Sequence, residues 1–594
     1  MFTTRPELIG TFGVVSSTHW LASAAGMGIL ERGGNAFDAA VAAGLVLQLA
    51  EPHLNGPGGD LPLLLHNAAR NETKVICGQG VAPAAATIER YRELGIDLIP
   101  AAGLLATVVP GAFDAWMLLL RDHGSLPLEQ IFEPALHYAE HGVPLVARVC
   151  ETIQELSGLF RSEWTSSAAL YLPHNEVPRP GELFANKTLA ATWQRLLKEA
   201  RAASPDRQAQ IEAIRHSWRE GFVAEAIDTF CREQAVLDTT GERHHGLLSG
   251  DDMARWQASY EDPTRLDYGD HTVLKCGPWS QGPVLLQALA LLDGFDLAAM
   301  DPLGPDFVHT VTECMKLAYA DREAYYGDPD FVNVPLETLL SAAYNQQRRT
   351  LIGERASLEL RPGTVDGFSG RILPIRTEGG QSLDLSAFGV SEPTVAKAAE
   401  VKGDTCHVDV IDRWGNMVSA TPSGGWLQSS PTIPELGFCL NSRAQMFWLE
   451  PGLPASLAPG KRPRTTLTPS LLYRHGEPYM AFGTPGGDQQ DQWQLIFLLR
   501  HIHHGMNLQA SIDAPSFHSE HFPGSFFPRL AAPGKLVLEG RFAAQVGQAL
   551  QQRGHRVEWG DDWSEGRLCA ASRTNGLLKA AANPRGMQGY AVGR

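Results

Sequence analysis

Signals for secretion, for a membrane span and for a disulfide framework are all missing from this 594-residue sequence. Its eight cysteines lie far apart and form no CxxC pair, which favours isolated reduced thiols. The N-terminus has neither a basic start nor an apolar core segment, and no apolar run is long enough to cross a bilayer. We therefore expect a cytoplasmic protein with no membrane partner.

Positive charge is also scarce. Lys and Arg number 49 against 66 Asp and Glu, which gives a formal net charge of −17 at pH 7. Nucleic acid and anionic membranes would repel such a chain, so we expect neither as a partner. No internal repeat is visible, which argues against a solenoid or a propeller.

Sequence signatures of nucleotide and metal binding are absent as well. The glycine-rich loop at 55–60 matches neither GxxxxGK[ST] nor GxGxxG, so we expect no phosphate site there. His501, His503 and His504 lie close together, but no carboxylate accompanies them at the spacing of a metal site. We expect no metal and no other cofactor.

The composition is that of a soluble globular protein with a large core, at 44% hydrophobic and 19% charged residues. Apolar periodicity predicts helices over 21–31, 36–49 and 305–326, and the second is predicted to be buried because Ala, Val and Leu dominate it. The stretch from 122 to 335 is predicted to be largely helical. The chain after Thr421 is predicted to consist mainly of short strands and turns, with two later helices.

One predicted hairpin organises the functional interpretation. Residues 405–411 are rich in β-branched side chains and roughly alternate between apolar and polar, which predicts a strand. Turn-forming residues follow at 412–416, because Gly and Asn tolerate positive φ. A second strand is predicted over 417–421.

Antiparallel pairing in this hairpin places Thr405 opposite Ser423 or Gly424. A Thr hydroxyl is a poor nucleophile unless a base takes its proton. Cleavage of the chain just before the Thr would supply that base, because the new α-amine has a reference pKa of about 7.7–8.0. A surface hairpin whose first Thr is only a good β-former is the alternative.

Three motifs make the chain resemble the γ-glutamyltransferases, which are self-cleaving N-terminal-nucleophile hydrolases. The first is the processing site, matched here by Asp404-Thr405-Cys406-His407 followed by Asp412, Gly415 and Asn416. The resemblance implies that Thr405 attacks the carbonyl of Asp404 and then serves as the catalytic nucleophile. It also implies an α/β fold, the four-layer αββα sandwich of the N-terminal-nucleophile hydrolases.

The same resemblance implies two subunits from one precursor. Residues 1–404 would form the large subunit and residues 405–594 the small one, together making one intertwined domain. The apolar pattern fails over 365–404, which we interpret as a tether that moves away after cleavage. Cys406 adjoins the nucleophile, but strand alternation points it to the opposite face, which favours a core thiol.

The other two motifs supply candidate oxyanion and substrate contacts. Gly-Thr-Pro-Gly-Gly ends in Gly486 and Gly487, which the resemblance makes the oxyanion hole; an ordinary turn is the alternative. Lys-Arg-Pro-Arg-Thr-Thr resembles a family loop whose hydroxyl pair contacts the substrate's carboxylate, a role that passes to Thr465 and Thr466. Hydroxyls that only satisfy the loop backbone are the alternative. We count Ser423, opposite the nucleophile, as a further catalytic candidate.

Two departures from the family pattern bear on the substrate. Gln79 stands where the family has an Arg that grips the glutamyl α-carboxylate. Arg443 and Met446 stand where the family has acceptors for the α-ammonium, and a cation facing an ammonium is unfavourable by an energy on the order of kcal/mol. We therefore expect an acyl group without the α-amine, with a carboxylate at Arg443, as in small dicarboxylic monoamides.

Other substrates stay open at this point. An apolar acyl group is suggested by three aromatic residues, Trp426, Phe447 and Trp448. Plain γ-glutamyl hydrolysis is possible if the side chain of Arg443 points away. The predicted function is an autoprocessed amide hydrolase or acyltransferase that passes the acyl group of a small-molecule amide to water or an amine. An uncleaved, inactive homologue acting as a binding protein is the alternative; the leaving amine and a homo-oligomeric state stay open.

Overall fold

Two seven-stranded antiparallel sheets form the centre of the structure, a computed structural model that describes residues 2–377 and 405–594. The first sheet contains, in spatial order, β1 (Leu8–Gly10), β20 (Leu577–Ala582), β19 (Cys569–Thr574), β15 (Glu477–Gly483), β14 (Ser470–Arg474), β11 (His271–Lys275) and β10 (Thr264–Tyr268). The second contains β21 (Tyr590–Gly593), β2 (Gly13–Ser17), β12 (Val408–Asp412), β13 (Met417–Ala420), β3 (Leu61–Asn67), β4 (Glu72–Gly78) and β9 (Ser259–Glu261). Both sheets combine strands from before and after residue 404.

The two sheets pack face to face through short and branched side chains. Val14 of β2 and Ile411 of β12 belong to one buried cluster with a set of alanines of the first sheet, Ala481, Ala571, Ala580 and Ala582. Small residues let the two backbones approach closely while both inner faces stay dry. Strand β12 is buried along its whole length, as a central strand of a covered sheet should be.

One helical layer covers the outer face of the second sheet. Helices α1 and α2 pack there on β12, and α4 packs on β3 and β4. Val408, Val410 and Val418 belong to the buried cluster that the sheet forms with these helices. Helix α2 is buried at all fifteen positions and begins at a capping box between Asn35 and Asp38. The helices of this half are α1 (Trp20–Glu31), α2 (Ala36–Ala50), α3 (Ile88–Glu93), α4 (Ala112–His123), α5 (Leu128–His141), α6 (Ala147–Ser162), α7 (Thr165–Tyr171), α8 (Lys187–Ala203), α9 (Arg207–Arg219), α10 (Phe222–Glu233) and α11 (Gly250–Arg255).

A second helical layer covers the outer face of the first sheet. Leu472, Met480 and Phe482 of that sheet share a buried cluster with α12, α13 and α16. The helices of this half are α12 (Pro283–Leu292), α13 (Pro305–Tyr325), α14 (Leu336–Leu340), α15 (Ala342–Arg349), α16 (Gln490–His504), α17 (Leu508–Asp513) and α18 (Ala544–Gln552). The layers therefore run helix, sheet, sheet, helix, and the predicted αββα sandwich is confirmed.

Small accessory sheets lie outside this sandwich. They are formed by β5 (Val143–Pro144) with β6 (Leu183–Phe184), by β7 (Val236–Leu237) with β8 (Arg243–His244), and by β16 (Phe517–Ser519), β17 (Lys535–Leu538) and β18 (Arg556–Trp559). Within the described residues, no helix is both long enough and apolar enough to cross a membrane.

Most predicted elements are confirmed, with two corrections. Helices α1, α2 and α13 begin and end within one residue of their predicted limits. The strand predicted from Thr405 begins only at Val408, because Pro422 opposite Cys406 has no N–H to continue the ladder. The stretch predicted to be largely helical also contains β9, β10 and β11. Strands β9 and β11 pair with β4 and β14, which are distant in sequence, and β10 pairs with the adjacent β11. Asp404 and the tether beyond residue 377 lie outside the described residues.

Candidate active site

Thr405 lies at the end of the central strand pair of the second sheet. It is fully buried and forms an antiparallel bridge with Ser423, one of the two partners that the hairpin register predicted. Thr405 Oγ1 lies 3.1 Å from Ser423 Oγ, within hydrogen-bonding distance. The carbonyl oxygen of Thr405 accepts a hydrogen bond from Arg567 Nη2 at 3.4 Å. The predicted register is confirmed.

Asp412 fixes the turn of this hairpin to the helical layer. Its Oδ1 accepts hydrogen bonds from the backbone N–H groups of Trp414 (2.9 Å) and Asn416 (3.0 Å). Its Oδ2 accepts from Asn416 Nδ2 (2.8 Å) and from the backbone N–H of Ala36, the first residue of α2 (2.9 Å). Gly415 has a φ of +93°, a conformation that glycine adopts without strain. Thr405 is thus placed by a hairpin whose far end is anchored.

The residues that follow Thr405 serve the core. Cys406 Sγ donates to Glu51 Oε2 at 3.0 Å, and burial raises the pKa of this thiol well above its usual value. His407 bridges Thr421 Oγ1 (3.0 Å) and Asp409 Oδ1 (2.9 Å). All eight cysteines are buried and unpaired, so the expectation of isolated thiols is confirmed, and Cys406 is the predicted core thiol.

Arg443 connects the nucleophile's neighbour to a buried carboxylate. Its side chain is 1% exposed, and its Nε donates to Asp60 Oδ2 at 2.7 Å. Its Nη2 donates to Ser423 Oγ, so the hydroxyl beside Thr405 is oriented by a cation. Gln79 Nε2 donates to the other Asp60 oxygen at 3.2 Å. The structure therefore brings two of the predicted substrate-binding residues, Arg443 and Gln79, together through Asp60, a residue that the sequence prediction missed.

Two polar atoms of this group have no hydrogen-bond partner among the described residues. They are Arg443 Nη1 and Gln79 Oε1, both buried. A buried guanidinium N–H without an acceptor is unfavourable by about 1–3 kcal/mol or more. Burial also raises the pKa of Asp60 to about 6, although the Arg443 charge and its hydrogen bond act in the opposite direction. Arg443 Nη1 is therefore suited to an anionic ligand, whereas Gln79 Oε1 would accept a hydrogen bond from a donor group.

An apolar wall lies beside the Arg443 guanidinium. The ring centroid of Trp426 is 5.2 Å from Arg443 Cζ, and that of Phe526 is 6.0 Å away. Both rings form a small buried cluster with Met446, which occupies one of the positions where the family was expected to hold an ammonium. Apolar side chains around a cation strengthen its attraction for an anion, because they keep water away.

The other two aromatic residues of the apolar-substrate prediction lie elsewhere. Phe447 belongs to a buried cluster with Tyr91 on α3. Trp448 packs under the guanidinium of Arg529, whose Cζ lies 4.0 Å from the ring centroid. The three aromatic residues thus belong to three different buried clusters, and Trp426 is the one beside Arg443.

Gly486 and Gly487 form a sharp turn between β15 and α16, called the oxyanion turn below. Their φ angles are +129° and +48°. A Cβ atom at Gly486 would lie 2.2 Å from Cζ3 of Trp493, so no other residue fits there without displacement. Within the described residues, neither backbone N–H donates a hydrogen bond to a protein acceptor. This geometry is compatible with an oxyanion hole at Gly486 and Gly487, a role that stays a prediction.

Thr465 and Thr466 differ in how their hydroxyls are used. Both are buried. Thr465 Oγ1 accepts a hydrogen bond from the backbone N–H of Leu467 at 3.4 Å, so this hydroxyl serves its own loop. Thr466 Oγ1 has no partner among the described residues and is the one available to a ligand. The prediction of a substrate-binding hydroxyl pair is therefore supported by geometry at Thr466 only.

Gln281 links the threonine loop to the oxyanion turn. Its backbone N–H donates to the carbonyl of Thr465 (2.9 Å), and its Nε2 donates to the carbonyl of Gly487 (3.2 Å). Its Oε1 in turn accepts from Arg322 Nη1 at 2.8 Å. Gln281, Asp60 and Arg567 are thus site residues that the sequence prediction missed, since their partners lie far away along the chain.

Two histidine clusters have ring nitrogens that already bond to protein groups. His501 Nε2 and His503 Nε2 bond to different tyrosine hydroxyls, those of Tyr479 (2.8 Å) and Tyr268 (2.7 Å). Three other buried residues, His309, Glu313 and His555, offer potential ligand atoms within 4.8 Å of one another. His309 and Glu313 lie on α13, and His555 directly precedes β18. Those ligands are already engaged: the two rings bond to each other at 2.8 Å, and Glu313 accepts from the ammonium of Lys316 at 2.6 Å.

Comparison with known proteins explains why these features occur together. The model of the gamma-glutamyltranspeptidase family matches residues 22–593. The chain belongs to the gamma-glutamyltranspeptidase family. The glutathione hydrolase-like YwrD proenzyme of Bacillus subtilis (strain 168) is 30% identical over 99% of both chains. Acylase ACY 1 proenzyme of Pseudomonas sp. (strain SE83) is 30% identical, over 96% of this chain and 92% of the relative.

A further relative and two solved structures extend this comparison. The oxamate amidohydrolase proenzyme of Klebsiella pneumoniae is 29% identical over 97% of this chain and 98% of its own. The structure of LmbA2991T421A is 55% identical with a TM-score of 0.93, over the whole of both chains. Cephalosporin acylase from Bacillus halodurans gives a TM-score of 0.82 at 27% identity, over 100% of this chain and 97% of its own. The gamma-glutamyltranspeptidase-family chain is accordingly an amide hydrolase or acyltransferase.

Proposed function

We propose that this enzyme cleaves itself between Asp404 and Thr405 and then hydrolyses or transfers an acyl group through an ester on Thr405. Similar proteins that are named as proenzymes support the cleavage step. Ser423 Oγ, 3.1 Å from Thr405 Oγ1, supports the nucleophile role, because it accepts from Arg443 and so keeps its own proton available for Thr405. Gly486 and Gly487 would stabilise the oxyanion, and the α-amine of Thr405 would act as base after cleavage.

The acyl group is proposed to carry a carboxylate and to lack the glutamyl α-amine. The observation that carries this proposal is the buried guanidinium of Arg443 beside the nucleophile's partner, whose terminal nitrogen Nη1 has no acceptor among the described residues. Asp60 neutralises this cation and is therefore not available to bind an ammonium. One similar protein is named for the hydrolysis of oxamate, a dicarboxylic monoamide without an amine.

The distances also limit the length of the acyl group. Arg443 Nη2 and Thr405 Oγ1 are both bonded to Ser423 Oγ, so they are at most about 6 Å apart, the distance that two hydrogen bonds would span in a straight line. A monoacyl group of a dicarboxylic acid with about two to five carbons spans this gap between guanidinium and nucleophile. Longer chains would have to fold back against Trp426 and Phe526.

The deciding measurement compares kcat/KM for oxalyl, succinyl and glutaryl anilides with kcat/KM for the γ-glutamyl anilide. We expect a dicarboxylic monoanilide to be preferred. Arg443→Gln should reduce kcat/KM for that substrate by about 100-fold, because a buried charge pair with the ligand is lost. Efficient γ-glutamyl turnover with little activity on the dicarboxylic series would contradict the proposal and indicate the ordinary family substrate.

Two variants separate binding from structural effects. Arg443→Gln alone leaves the Asp60 carboxylate unpaired, whereas Asp60→Asn combined with Arg443→Gln removes both charges. If Arg443 binds substrate, the double variant stays inactive on the dicarboxylic series even when its stability recovers. Arg215→Gln is the matched control, since Arg215 forms an equally buried pair with Asp114 (Nε to Oδ1, 2.7 Å) in the helical layer.

A further inference from the structure

Trp493 of α16 lies between two glycines beside the oxyanion turn. A Cβ atom at Gly486 would be 2.2 Å from Cζ3 of the ring, and a Cβ atom at Gly566 would be 3.3 Å from its Cγ. The indole is buried, so it has no room to move without displacing one of these backbones. The position of Gly486 therefore depends directly on the orientation of the Trp493 ring.

Glu565 fixes that orientation. Its Oε2 accepts a hydrogen bond from Trp493 Nε1 at 3.1 Å and a second one from His518 Nδ1 at 2.5 Å. His518 Nε2 donates to Glu520 Oε1 at 3.2 Å. Burial lowers the pKa of His518, but the two carboxylates outweigh it and raise that pKa to about 10. The ring is therefore an imidazolium at neutral pH and can donate from both nitrogens.

Arg567, two residues after Glu565, bonds both to Thr405 and to the residue Thr484 that precedes the oxyanion turn. Its backbone N–H donates to Thr484 Oγ1 at 3.0 Å, just before the oxyanion turn. Its side-chain Nη2 donates to the carbonyl of Thr405 at 3.4 Å. Residues 565–567 thus bond to three parts of the site: Thr405, Thr484 just before the oxyanion turn, and the Trp493 ring.

We propose that residues 565–567 act as a positioning segment that sets the distance between Thr405 and the amide donors of Gly486 and Gly487, with Trp493 as the part that transmits the position. None of these side chains is proposed to exchange a proton or touch the acyl group. The inference rests on the proposed function, in which Thr405 and the two glycines perform the reaction. It assigns a role to Trp493, Glu565 and Arg567 that their burial alone would not require.

The expected effect is on turnover and not on substrate binding. Oxyanion donors are effective only within about 0.5 Å of the productive position, and loss of one donor reduces turnover by about 10²–10³-fold. Trp493→Phe removes the bond to Glu565 and part of the ring that meets Gly486. We expect kcat to fall at least tenfold with KM nearly unchanged, because the Arg443 site is not altered.

The experiment compares Trp493→Phe and Glu565→Gln with Trp218→Phe. Trp218 is an equally buried tryptophan in the helical layer, and its Nε1 has no hydrogen-bond partner among the described residues. For each variant, kcat, KM, the thermal midpoint and the rate of self-cleavage are measured. A fall in kcat confined to the two site variants supports the positioning role. Equal kcat in all three proteins, or a change in KM alone, would overturn it.

Arg567 gives a second, independent variant pair. Arg567→Lys keeps a cation that can still reach the Thr405 carbonyl, whereas Arg567→Met keeps only the length of the side chain. We expect Lys to retain most of the kcat and Met to lose it, at similar thermal midpoints. Full kcat in Arg567→Met would contradict the inference. If wild-type protein shows neither self-cleavage nor an acyl-threonine, the proposed function has failed, and that outcome differs from every outcome of these variants.

Discussion

At the scale of single residues, Asp60 controls the net charge of the proposed acyl site around Arg443 and Gln79. Its two oxygens accept from Arg443 Nε and Gln79 Nε2, and no water-exposed surface relieves its burial. Burial raises the pKa of Asp60 to about 6 even against the Arg443 charge. The site is therefore neutral at pH 7 when empty, and it becomes cationic when Asp60 takes up a proton. A side chain of the proposed substrate site thus titrates close to physiological pH.

This titration predicts a pH dependence for anion binding. A bound carboxylate beside Arg443 favours protonated Asp60, so binding takes up a proton and tightens as pH falls from 8 towards 6. Below about pH 6 Asp60 is already protonated in the free enzyme, and the affinity should level off. We expect glutarate affinity, measured by calorimetry, to increase by about fivefold over this range if binding raises the Asp60 pKa by about one unit.

Asp60→Asn provides the control for this prediction. The amide cannot take up the proton, so the pH dependence that remains belongs to other groups, including the α-amine of Thr405. A wild-type affinity that weakens as pH falls, or an unchanged slope in Asp60→Asn, would contradict the assignment to Asp60.

At the scale of elements, the oxyanion turn depends on what packs behind it. Strand β15 ends at Gly483, and α16 begins at Gln490, so the turn is fixed by the first sheet on one side and a buried helix on the other. Gly486 combines a positive φ with a 2.2 Å approach of the Trp493 ring to its missing Cβ. Backbone conformation and packing both require glycine at this position.

Gly486→Ala should reduce turnover by about 10²–10³-fold, because the added methyl group pushes the turn away from Trp493 and displaces a donor. The measurement is kcat on the preferred amide together with a thermal midpoint. Gly476→Ala is the matched control: Gly476 also has a positive φ, +80°, but nothing lies within 4 Å of its added Cβ. Near-normal kcat in folded Gly486→Ala would remove this turn from the mechanism.

Local elements of the fold were predictable from sequence, and distant contacts were not. The register that puts Thr405 opposite Ser423 follows from the position of the turn. Except for the bond to Ala36, the hydrogen bonds that Asp412 accepts in this turn come from residues at most four positions away. The burial of α2 follows from its composition. The Asp60–Arg443 pair joins positions 383 apart, and no local pattern indicates it. The bond that Thr465 Oγ1 accepts within its own loop could not be predicted, because it depends on a backbone path that the motif does not encode.

At the scale of the whole molecule, the two segments on either side of residue 404 share both sheets. Strand β12 lies between β2 and β13, and β14 lies between β11 and β15. The same interleaving occurs where β1 pairs with β20 and β2 with β21. Neither segment contains a complete copy of either seven-stranded sheet. The two proposed subunits therefore cannot be separate domains. The location of the protein in the cell stays a prediction from sequence.

Self-cleavage is the prediction at this scale. Purified wild-type protein should give two masses under denaturing conditions, of residues 1–404 and 405–594, without added protease. Thr405→Ala should give one mass, because the attacking hydroxyl is lost. Both proteins should elute as one species of similar size under native conditions, since shared sheets hold the fragments together. A wild-type protein that stays one chain with full turnover would refute the mechanism.

The interleaved sheets also mean that cleavage changes how many molecules take part in the folding reaction. The precursor unfolds and refolds as one molecule, so its thermal midpoint should not depend on dilution. The cleaved enzyme unfolds into two molecules that must find each other again, and mass action makes its midpoint fall as it is diluted. Maturation would thus convert a protein that can be repaired by refolding into one that persists mainly because it unfolds slowly.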